Sequence, residues 1–367
     1  MSVEVSLLRK LLKPSQLLWA LVAAASCAVA QAQVGLTQLK FGELPVTLVY
    51  PTAQAGQPTA FGPFTLTVAR DAAPSPGTRR LVVMSHGTGG SPLADHQLAA
   101  TLARAGFVVA QPLHAGDNHL DTSAAGPDAW QRRPREITQV IDGLAQHPTW
   151  KPLLALDRVG VHGMSAGGVS ALSLAGAQWR MLDLIRHCQE QTEADFGFCF
   201  NGIVDPKAQA ARRTRYDSAR NVPEMFLPAE LKTVHGGRTP ASDGDEVRPD
   251  PRVAAVTLSV PVAAIFSGPS LARIRIPVGV VTAERDTMLV PAFHSARVLR
   301  QCARCSLLAA LPGAGHMDVL SPWPDSVARA VAAQHPRGGL PEPGFNPAER
   351  DAAIARIAGF YTRELAR

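Results

Sequence analysis

The sequence predicts an α/β fold in which helices cover both faces of a mostly parallel sheet. Nearly continuous apolar runs alternate with stretches of helical periodicity through most of the 367 residues. Strands of a parallel sheet are buried on both faces, so they appear as unbroken apolar runs. Hydrophobic residues make up 46% of the chain and charged residues 18%, which is enough apolar material for a large core.

Eight runs are predicted strands. The first two, 44–51 and 61–70, are rich in β-branched and aromatic residues and are separated by Gly and Pro. This pattern predicts an antiparallel start to the sheet. The remaining strands are predicted at 79–87, 107–114, 158–163, 252–260, 276–283 and 306–313.

Five stretches with helical spacing lie between or after these strands. Gly106 ends the first, and Pro134 is predicted to open the second. The last follows a Pro/Gly-rich linker at 335–347. Alternation of strand and helix favours parallel strands joined by crossover helices. The predicted helices are residues 93–106, 134–147, 165–179, 288–302 and 347–365.

One interval, residues 179–250, breaks the alternation. It contains two cysteines, a basic stretch and an acidic loop. We interpret it as a small cap-like insertion over the carboxyl edge of the sheet, where such sheets bind ligands. Residues 33–367 are therefore predicted to form a single domain that includes this insertion.

Residues 1–32 resemble an export signal. Three basic side chains precede the apolar stretch 17–30, and small residues precede a cleavage point after Ala32 or Ala30. The stretch is too short to span a bilayer comfortably, so a periplasmic or secreted protein without a stable membrane span is expected after cleavage. An uncleaved anchor is one alternative. Lipid attachment at Cys27 is another, but the large aliphatic residue usual three positions earlier is missing.

Four cysteines remain after removal of Cys27, in a compartment that permits disulfides. They allow three connectivities, of which the shortest loops pair Cys188 with Cys199 and Cys302 with Cys305. A redox or metal site at the Cys-x-x-Cys is the alternative. No second Cys-x-x-Cys accompanies it, so structural disulfides are favoured.

The net charge of +6 does not predict nucleic-acid binding. The first 32 residues supply part of it, and the other Lys and Arg residues are scattered, with few aromatic residues among them. The sequence leaves the oligomeric state open.

A strand, a Gly-x-Ser-x-Gly motif and a helix follow one another around Ser165. Gly163 and Gly167 flank the serine, so neighbouring backbones can approach a tight strand-to-helix turn without meeting a Cβ. The hydroxyl then lies at a helix N-terminus, where negative charge is favoured. Ser165 is the predicted nucleophile.

A serine needs a base that takes its proton and an acid that orients the base. His316 follows the last apolar strand on a Gly-rich loop and is the predicted base. His294, inside a helical pattern, and His86 and His162, which precede the serine, are weaker candidates. Asp286, past the penultimate strand, is the predicted acid.

Glu284 is the alternative acid, but it stands closer to the strand end than Asp286 does.

Two N–H groups should bind the negatively charged oxygen of a tetrahedral intermediate. The N–H of Ala166, which follows the nucleophile, is one predicted donor. The other is Thr88, in the loop "HGTGG" after the strand at 79–87. A merely flexible turn is the alternative interpretation of that loop.

The ordered motifs resemble the α/β-hydrolase superfamily, and more narrowly the bacterial dienelactone-hydrolase-like proteins related to platelet-activating-factor acetylhydrolase. The resemblance covers residues 43–325 through "LPVTLVYP", "LVVMSHGTGG", "LARAGFVVAQPLHAGDN", "RRPREITQVIDGL", "DRVGVHGMSAGG", "DPRVAAVTLSVP", "IPVGVVTAERD" and "LPGAGHMDV". It implies an α/β-hydrolase fold and a serine esterase with Ser165, Asp286 and His316 as its triad. It also implies no metal and no organic cofactor. Dienelactone hydrolases proper use a cysteine nucleophile, so their lactone substrate is not expected here.

The sequence therefore predicts an exported hydrolase of small-molecule carboxylic esters. A peptidase or amidase with the same triad is an alternative, although no extra domain is present to select peptides. A polyester or lipid hydrolase would need an open cleft, which the 179–250 insertion disfavours. A non-catalytic binding protein would be expected only if a triad position were missing.

Overall fold

The computed structural model describes residues 33–200, 203, 205–218, 249–334 and 339–366. The predicted signal peptide at 1–32 and most of the acidic loop within 242–250 lie outside these residues. From Gln33 onward the described residues belong to one compact unit. Within them no helix is long and apolar enough to cross a membrane.

A ten-stranded sheet runs through the described part of the chain. Its order is β10-β9-β8-β7-β5-β6-β2-β1-β4-β3, and β5 to β10 are mutually parallel. The strands are β1 (Gln33–Phe41), β2 (Leu44–Thr52), β3 (Gln57–Phe61), β4 (Phe64–Arg70), β5 (Arg79–Ser85), β6 (Val108–Pro112), β7 (Leu154–Met164), β8 (Val253–Ser259), β9 (Val278–Ala283) and β10 (Cys305–Leu311).

The helices of the described residues lie between these strands or after them. They are α1 (His96–Arg104), α2 (Pro127–Gln146), α3 (Gly167–Leu174), α4 (Met181–Glu190), α5 (Phe196–Phe200), α6 (Pro206–Ser218), α7 (Gly268–Leu271), α8 (Ser295–Gln301), α9 (Asp325–Gln334) and α10 (Pro347–Leu365). Short 3-10 turns form at Pro92–Asp95, Lys151–Leu153 and His316–Val319.

Two apolar clusters, one on each face of the sheet, form the core. Alternate residues of β5 point to opposite faces, so Leu81 and Val83 join one cluster while Val82 and Met84 join the other. Helices α2, α3 and α4 pack on the first face, and α1 and α10 pack on the second. The predicted α/β class, with a mostly parallel sheet between two helical layers, is confirmed.

The C-terminal helix α10 is one of the main covers of the second face. The Tyr361 hydroxyl lies 2.7 Å from Thr257 Oγ1 in β8. The Tyr361 ring lies so close to β7 that a Cβ on Gly160 would be 2.6 Å from it. This helix begins and ends at the predicted residues.

The first half of the sheet differs from the prediction in pairing. The runs at 44–51 and 61–70 do not pair with each other, because β1 lies between β2 and β4. The start is antiparallel through β1 and β2, and the run at 61–70 includes a turn at Gly62 that separates β3 from β4. Strands β1 and β3 were not predicted from the sequence.

Four of the five predicted helices differ from their predicted bounds. Helix α1 is shorter than the predicted 93–106, and α3 ends at Leu174 rather than at residue 179. Helix α2 begins at Pro127, so Pro134 lies inside it rather than at its start. Gly126, with a φ of +100°, and a proline at the first helical position form the actual start. Helix α8 is shorter than the predicted 288–302, because the segment before it forms the loop that holds Asp286.

The insertion at 179–250 contributes α4, α5 and α6, while residues 219–248 lie outside the described part. Its helix α5 packs against the loop that follows β9. A Cβ on Gly197 would lie 2.3 Å from the Thr287 carbonyl oxygen. The described part of the insertion therefore contacts the loop after β9 at the carboxyl edge of the sheet, and its role as a cap stays a prediction.

Candidate active site

Ser165 lies in a tight turn between β7 and α3. Its φ of +53° is in the left-handed region, which costs energy for a residue with a Cβ. Its N–H donates to the Ser259 carbonyl at 3.0 Å, and its carbonyl accepts from Val262 N–H at 3.0 Å. Bonds to the end of β8 on both sides of the residue hold this strained turn in place.

The flanking glycines are required by the close approach of neighbouring backbone. A Cβ on Gly163 would lie 2.3 Å from the Gly167 carbonyl oxygen, and a Cβ on Gly167 would lie 2.0 Å from the Ser85 carbonyl oxygen. Contacts this short with backbone cannot be relieved by a side-chain rotation. The glycines therefore let the turn pack against β5, as the motif predicts.

His316 and Asp286 meet Ser165 at the carboxyl ends of the strands. Ser165 Oγ lies 3.0 Å from His316 Nε2, and His316 Nδ1 lies 2.7 Å from Asp286 Oδ2. His316 is 4% exposed and Asp286 3% exposed, whereas Ser165 is partly exposed. The structure thus brings together the three side chains predicted as a triad.

Asp286 is the carboxylate that the fold turns inward. Its second oxygen, Oδ1, accepts the N–H groups of Met288 at 2.9 Å and Leu289 at 2.8 Å. Both oxygens are therefore occupied, which holds the carboxylate in one orientation. Glu284, the alternative acid, is exposed, and its backbone N–H pairs with Leu311.

The other candidate histidines are buried in structural positions. Burial lowers the pKa of His162 to about 3, and its Nδ1 lies 2.9 Å from Thr257 Oγ1. Burial also lowers the pKa of His294, which contacts Asp195 through Nε2 at 2.9 Å. Burial, followed by the charge of Arg133, lowers the pKa of His86 well below its usual value.

The loop His86–Gly90 lies directly beside the nucleophile. A Cβ on Gly87 would be 3.3 Å from Ser165 Cβ and 3.8 Å from its Oγ. Thr88, the next residue, is exposed. Within the described residues no acceptor is found for the N–H of Thr88 or of Ala166, so both are free to bind an added oxygen. Their predicted role as oxyanion donors remains a prediction.

Cys188 and Cys199 are joined by a disulfide, as are Cys302 and Cys305. The first bond connects α4 to α5 of the insertion, and the second closes the turn between α8 and β10. Among the described residues no group of three or more His, Cys, Asp or Glu side chains is arranged to hold a metal ion.

Two buried ionic groups near the site were not predicted from the sequence. Asp195 accepts His187 Nε2 at 2.8 Å and His294 Nε2 at 2.9 Å. Arg133 lies 2.7 Å from Asp117. One signal for Arg133 was present, because it falls at helical spacing among the apolar positions of α2.

Comparison with known proteins supports the fold. No protein-family model matches the sequence, and no curated protein matches it. Among solved structures, the chain is similar to a ferulic acid esterase from Streptomyces cinnamoneus, with a TM-score of 0.55 and 17% identity over 93% of each chain. At this identity the likeness is one of fold, and the mostly parallel sheet with helices on both faces is consistent with an α/β-hydrolase fold.

Proposed function

We propose that this protein is an exported serine esterase that cleaves carboxylic esters through Ser165, His316 and Asp286. The neighbouring structure is a ferulic acid esterase, which supports ester hydrolysis as the reaction class. The narrower relationship to dienelactone-hydrolase-like proteins rests on the ordered motifs alone. We leave the acyl and alcohol groups of the substrate open.

One observation carries this proposal. The hydroxyl of Ser165, the imidazole of His316 and the carboxylate of Asp286 form a continuous hydrogen-bonded line with separations of 3.0 and 2.7 Å. A carboxylate accepts hydrogen bonds but cannot donate them, so Asp286 fixes the proton of His316 on Nδ1. The lone pair on Nε2 then faces the Ser165 hydroxyl, as a general base requires.

In acylation, Ser165 Oγ bonds to the ester carbonyl carbon while His316 Nε2 takes the hydroxyl proton. The carbonyl oxygen becomes negatively charged and is bound by the N–H groups of Ala166 and Thr88. The tetrahedral intermediate then collapses. The alkoxide leaves with the proton from His316, and the acyl group stays on Ser165.

Deacylation repeats these steps with water. His316 removes a proton from water as its oxygen attacks the acyl carbon, and then returns that proton to Ser165 Oγ. Asp286 keeps its charge throughout and stabilises the imidazolium. The carboxylic acid leaves and the serine is restored.

Export is proposed from the N-terminal 32 residues and the two disulfides. Disulfides persist in oxidising compartments, and an enzyme of the bacterial periplasm or exterior would retain both. Sequencing the N-terminus of protein recovered outside the cytoplasm tests this part. A start at residue 31 or 33 supports export, and an intact Met1 contradicts it.

The Ser165→Ala variant tests the catalytic assignment. We expect turnover of p-nitrophenyl acetate to fall by about 10⁶-fold, since removal of a triad serine costs about that much in a comparable site. Labelling by a fluorophosphonate should disappear with it. Comparing p-nitrophenyl esters with p-nitroanilides separates an esterase from an amidase.

Ser173→Ala is a matched control. Ser173 is 1% exposed in the same helix region, and its hydroxyl has no hydrogen-bond partner, so its removal should leave activity and stability unchanged. Retained activity in Ser165→Ala would overturn the assignment. A wild-type protein that neither turns over esters nor reacts with the fluorophosphonate would indicate a binding protein instead.

A further inference from the structure

Arg133 lies beneath the loop next to the nucleophile and is fully buried. Its Nη1 donates to the His86 carbonyl at 2.5 Å, and its Nη2 donates to the Gly87 carbonyl at 3.2 Å. Nη2 also meets Asp117 Oδ2 at 2.7 Å. A buried guanidinium is costly unless it is paired and hydrogen-bonded. Here its bonds go to the loop, to the Asp117 carboxylate and to the Asp117 backbone carbonyl, which accepts Nη2 at 3.0 Å.

Asp117 joins this arginine to the same loop by a second route. Its Oδ1 accepts Gly89 N–H at 2.9 Å while its Oδ2 accepts Arg133, and its side chain is fully buried. The pair therefore holds two carbonyl groups and one N–H group of the loop His86–Gly90. It contacts neither Ser165 nor His316 in any hydrogen bond of the described chain.

The Gly87 carbonyl is the most constrained group of the loop. Besides Arg133, it accepts His86 Nδ1 at 2.8 Å and Gly90 N–H at 3.1 Å. The Gly87–Thr88 peptide is trans, so its C=O and its N–H point in opposite directions. Fixing the carbonyl toward the buried pair directs Thr88 N–H away from it, to the exposed side of the loop.

We infer that Arg133 and Asp117 are positioning residues that aim the Thr88 N–H at the negatively charged oxygen of the tetrahedral intermediate. The inference rests on the proposed esterase function. It explains why a buried ion pair lies below a loop whose own side chains take no part in the reaction.

Two variants test the inference. Arg133→Lys keeps the positive charge, but one ammonium group cannot reach both carbonyls and the carboxylate. The double variant Arg133→Met/Asp117→Leu removes both charges together and leaves no unpaired ion. We expect kcat to fall by about 10²-fold, the loss seen when an oxyanion donor is removed, with KM within about twofold of the wild-type value.

An ester and its thionoester, in which sulfur replaces the carbonyl oxygen, provide the specific measurement. Sulfur is larger and accepts hydrogen bonds poorly, so the thionoester gains little from the two donors. The ratio of kcat/KM for ester over thionoester should therefore fall by about 10²-fold with the loss of one aligned donor. A purely structural role would lower both rates equally and leave the ratio unchanged.

Arg132→Lys is the matched control. Arg132 precedes Arg133 in α2 but donates to the Ala115 carbonyl, outside the loop His86–Gly90. The ratio of kcat/KM for ester over thionoester in Arg132→Lys should match that of the wild type. Near-ultraviolet circular dichroism confirms folding of each variant, and the double variant provides the ratio if the lysine variant does not fold. A folded variant with an unchanged ratio overturns the inference, whereas an inactive wild type overturns the proposed function instead.

Discussion

Gly167 illustrates how far single residues determine this site. The turn places the backbone of α3 against the end of β5, at a distance that admits hydrogen but no methyl group. The same contact fixes the height of Ser165 above the sheet. The glycine is therefore needed for packing as well as for the turn.

The Gly167→Ala variant should be destabilised by about 3 kcal/mol, because its Cβ would lie 2.0 Å from the Ser85 carbonyl oxygen and backbone would have to move. Activity should fall as Ser165 is displaced. Urea unfolding measures the change. Gly359→Ala in α10 is the control, since the nearest atom to its Cβ is a flexible arginine end at 3.8 Å. Its stability should be equal to wild type or higher by up to about 1 kcal/mol.

Asp286→Asn tests the choice of acid. The amide oxygen can still accept the N–H groups of Met288 and Leu289, so the loop should keep its structure. The amide NH₂ facing His316 favours the wrong tautomer, and kcat should fall by about 10⁴-fold, as in a comparable triad. Steady-state kinetics of ester hydrolysis measure kcat of this variant. Glu284→Gln should leave kcat unchanged, and the reverse result would move the acid to Glu284.

The meeting of Ser165, Asp286 and His316 could be predicted from sequence because each of them follows a recognisable strand. The carboxyl ends of parallel strands meet at one edge, so Ser165, Asp286 and His316 had to approach one another. Arg133 could not be assigned in the same way. Its helical spacing indicates a buried face, but its partner Asp117 lies in an irregular loop whose path the sequence does not determine.

At the scale of elements, the insertion and the loop after β9 form one connected unit. Asp195, at the start of α5, accepts His187 of α4, His294 before α8 and the Val290 N–H at 3.2 Å. Burial alone would raise the pKa of Asp195, but hydrogen bonds from the two histidines lower it to about 2. The helices α4 and α5 are thus tied to the segment that carries Asp286.

The two disulfides should differ in what they contribute. Cys188 and Cys199 are 11 residues apart and Cys302 and Cys305 only 3. Chain entropy predicts that the free energy of unfolding falls by about 3 kcal/mol without the 188–199 disulfide and by about 2 kcal/mol without the 302–305 disulfide. The longer loop restricts the unfolded chain more. Urea unfolding of the two double Cys→Ala variants, without reductant, measures both. A larger loss for the 302–305 pair would contradict this order.

Elements with a strong apolar run were predictable, and those without one were not. Strands β5 to β9 are mostly buried on both faces and stand out in the sequence. Strand β10 stands out through its apolar run, although it is partly exposed at the edge of the sheet. In β1 and β3, exposed residues interrupt the apolar ones, which weakens the pattern. Helices α4 and α5 of the insertion escaped prediction because each has only two or three buried residues, too few for a clear helical pattern.

At the scale of the whole molecule, two separate apolar layers enclose the sheet, and buried histidines lie within it and in the loops beside it. His86 accepts His114 N–H through Nε2 at 3.3 Å, and His294 accepts Ala263 N–H through Nδ1 at 3.0 Å. Protonation at either nitrogen would break these bonds. His162 is buried as well, and burial lowers its pKa to about 3.

Stability should therefore fall as the pH drops below about 6.5, the usual histidine pKa. Below this pH the histidines of the unfolded chain bind protons that those of the folded chain do not bind. The free energy of unfolding therefore falls by about 1.4 kcal/mol per pH unit for each histidine that stays neutral in the folded chain. Asp95 acts in the opposite direction, since burial raises its pKa to about 7. Burial also raises the pKa of Glu136 and of Asp318. Burial lowers the pKa of five histidines, which outnumber these three carboxyl groups, so the expected net effect is acid destabilisation; the five are His86, His96, His114, His162 and His294.

Urea unfolding at pH 8, 6.5 and 5 measures this dependence. His162→Asn should reduce the slope below pH 6.5, while replacement of the exposed His119 by Asn should not. Equal stability at pH 8 and pH 5 would contradict the prediction.

The position of α10 in the chain has a consequence for biosynthesis. The helix covers the second face of the sheet through residues such as Tyr361, yet among the elements of this core it is the last to leave the ribosome. Until then strands made much earlier keep part of an apolar face bare, because α1 covers only some of it, and the nascent polypeptide cannot complete its fold. For the export proposed above this delay is favourable, because translocation through a narrow channel requires an unfolded substrate.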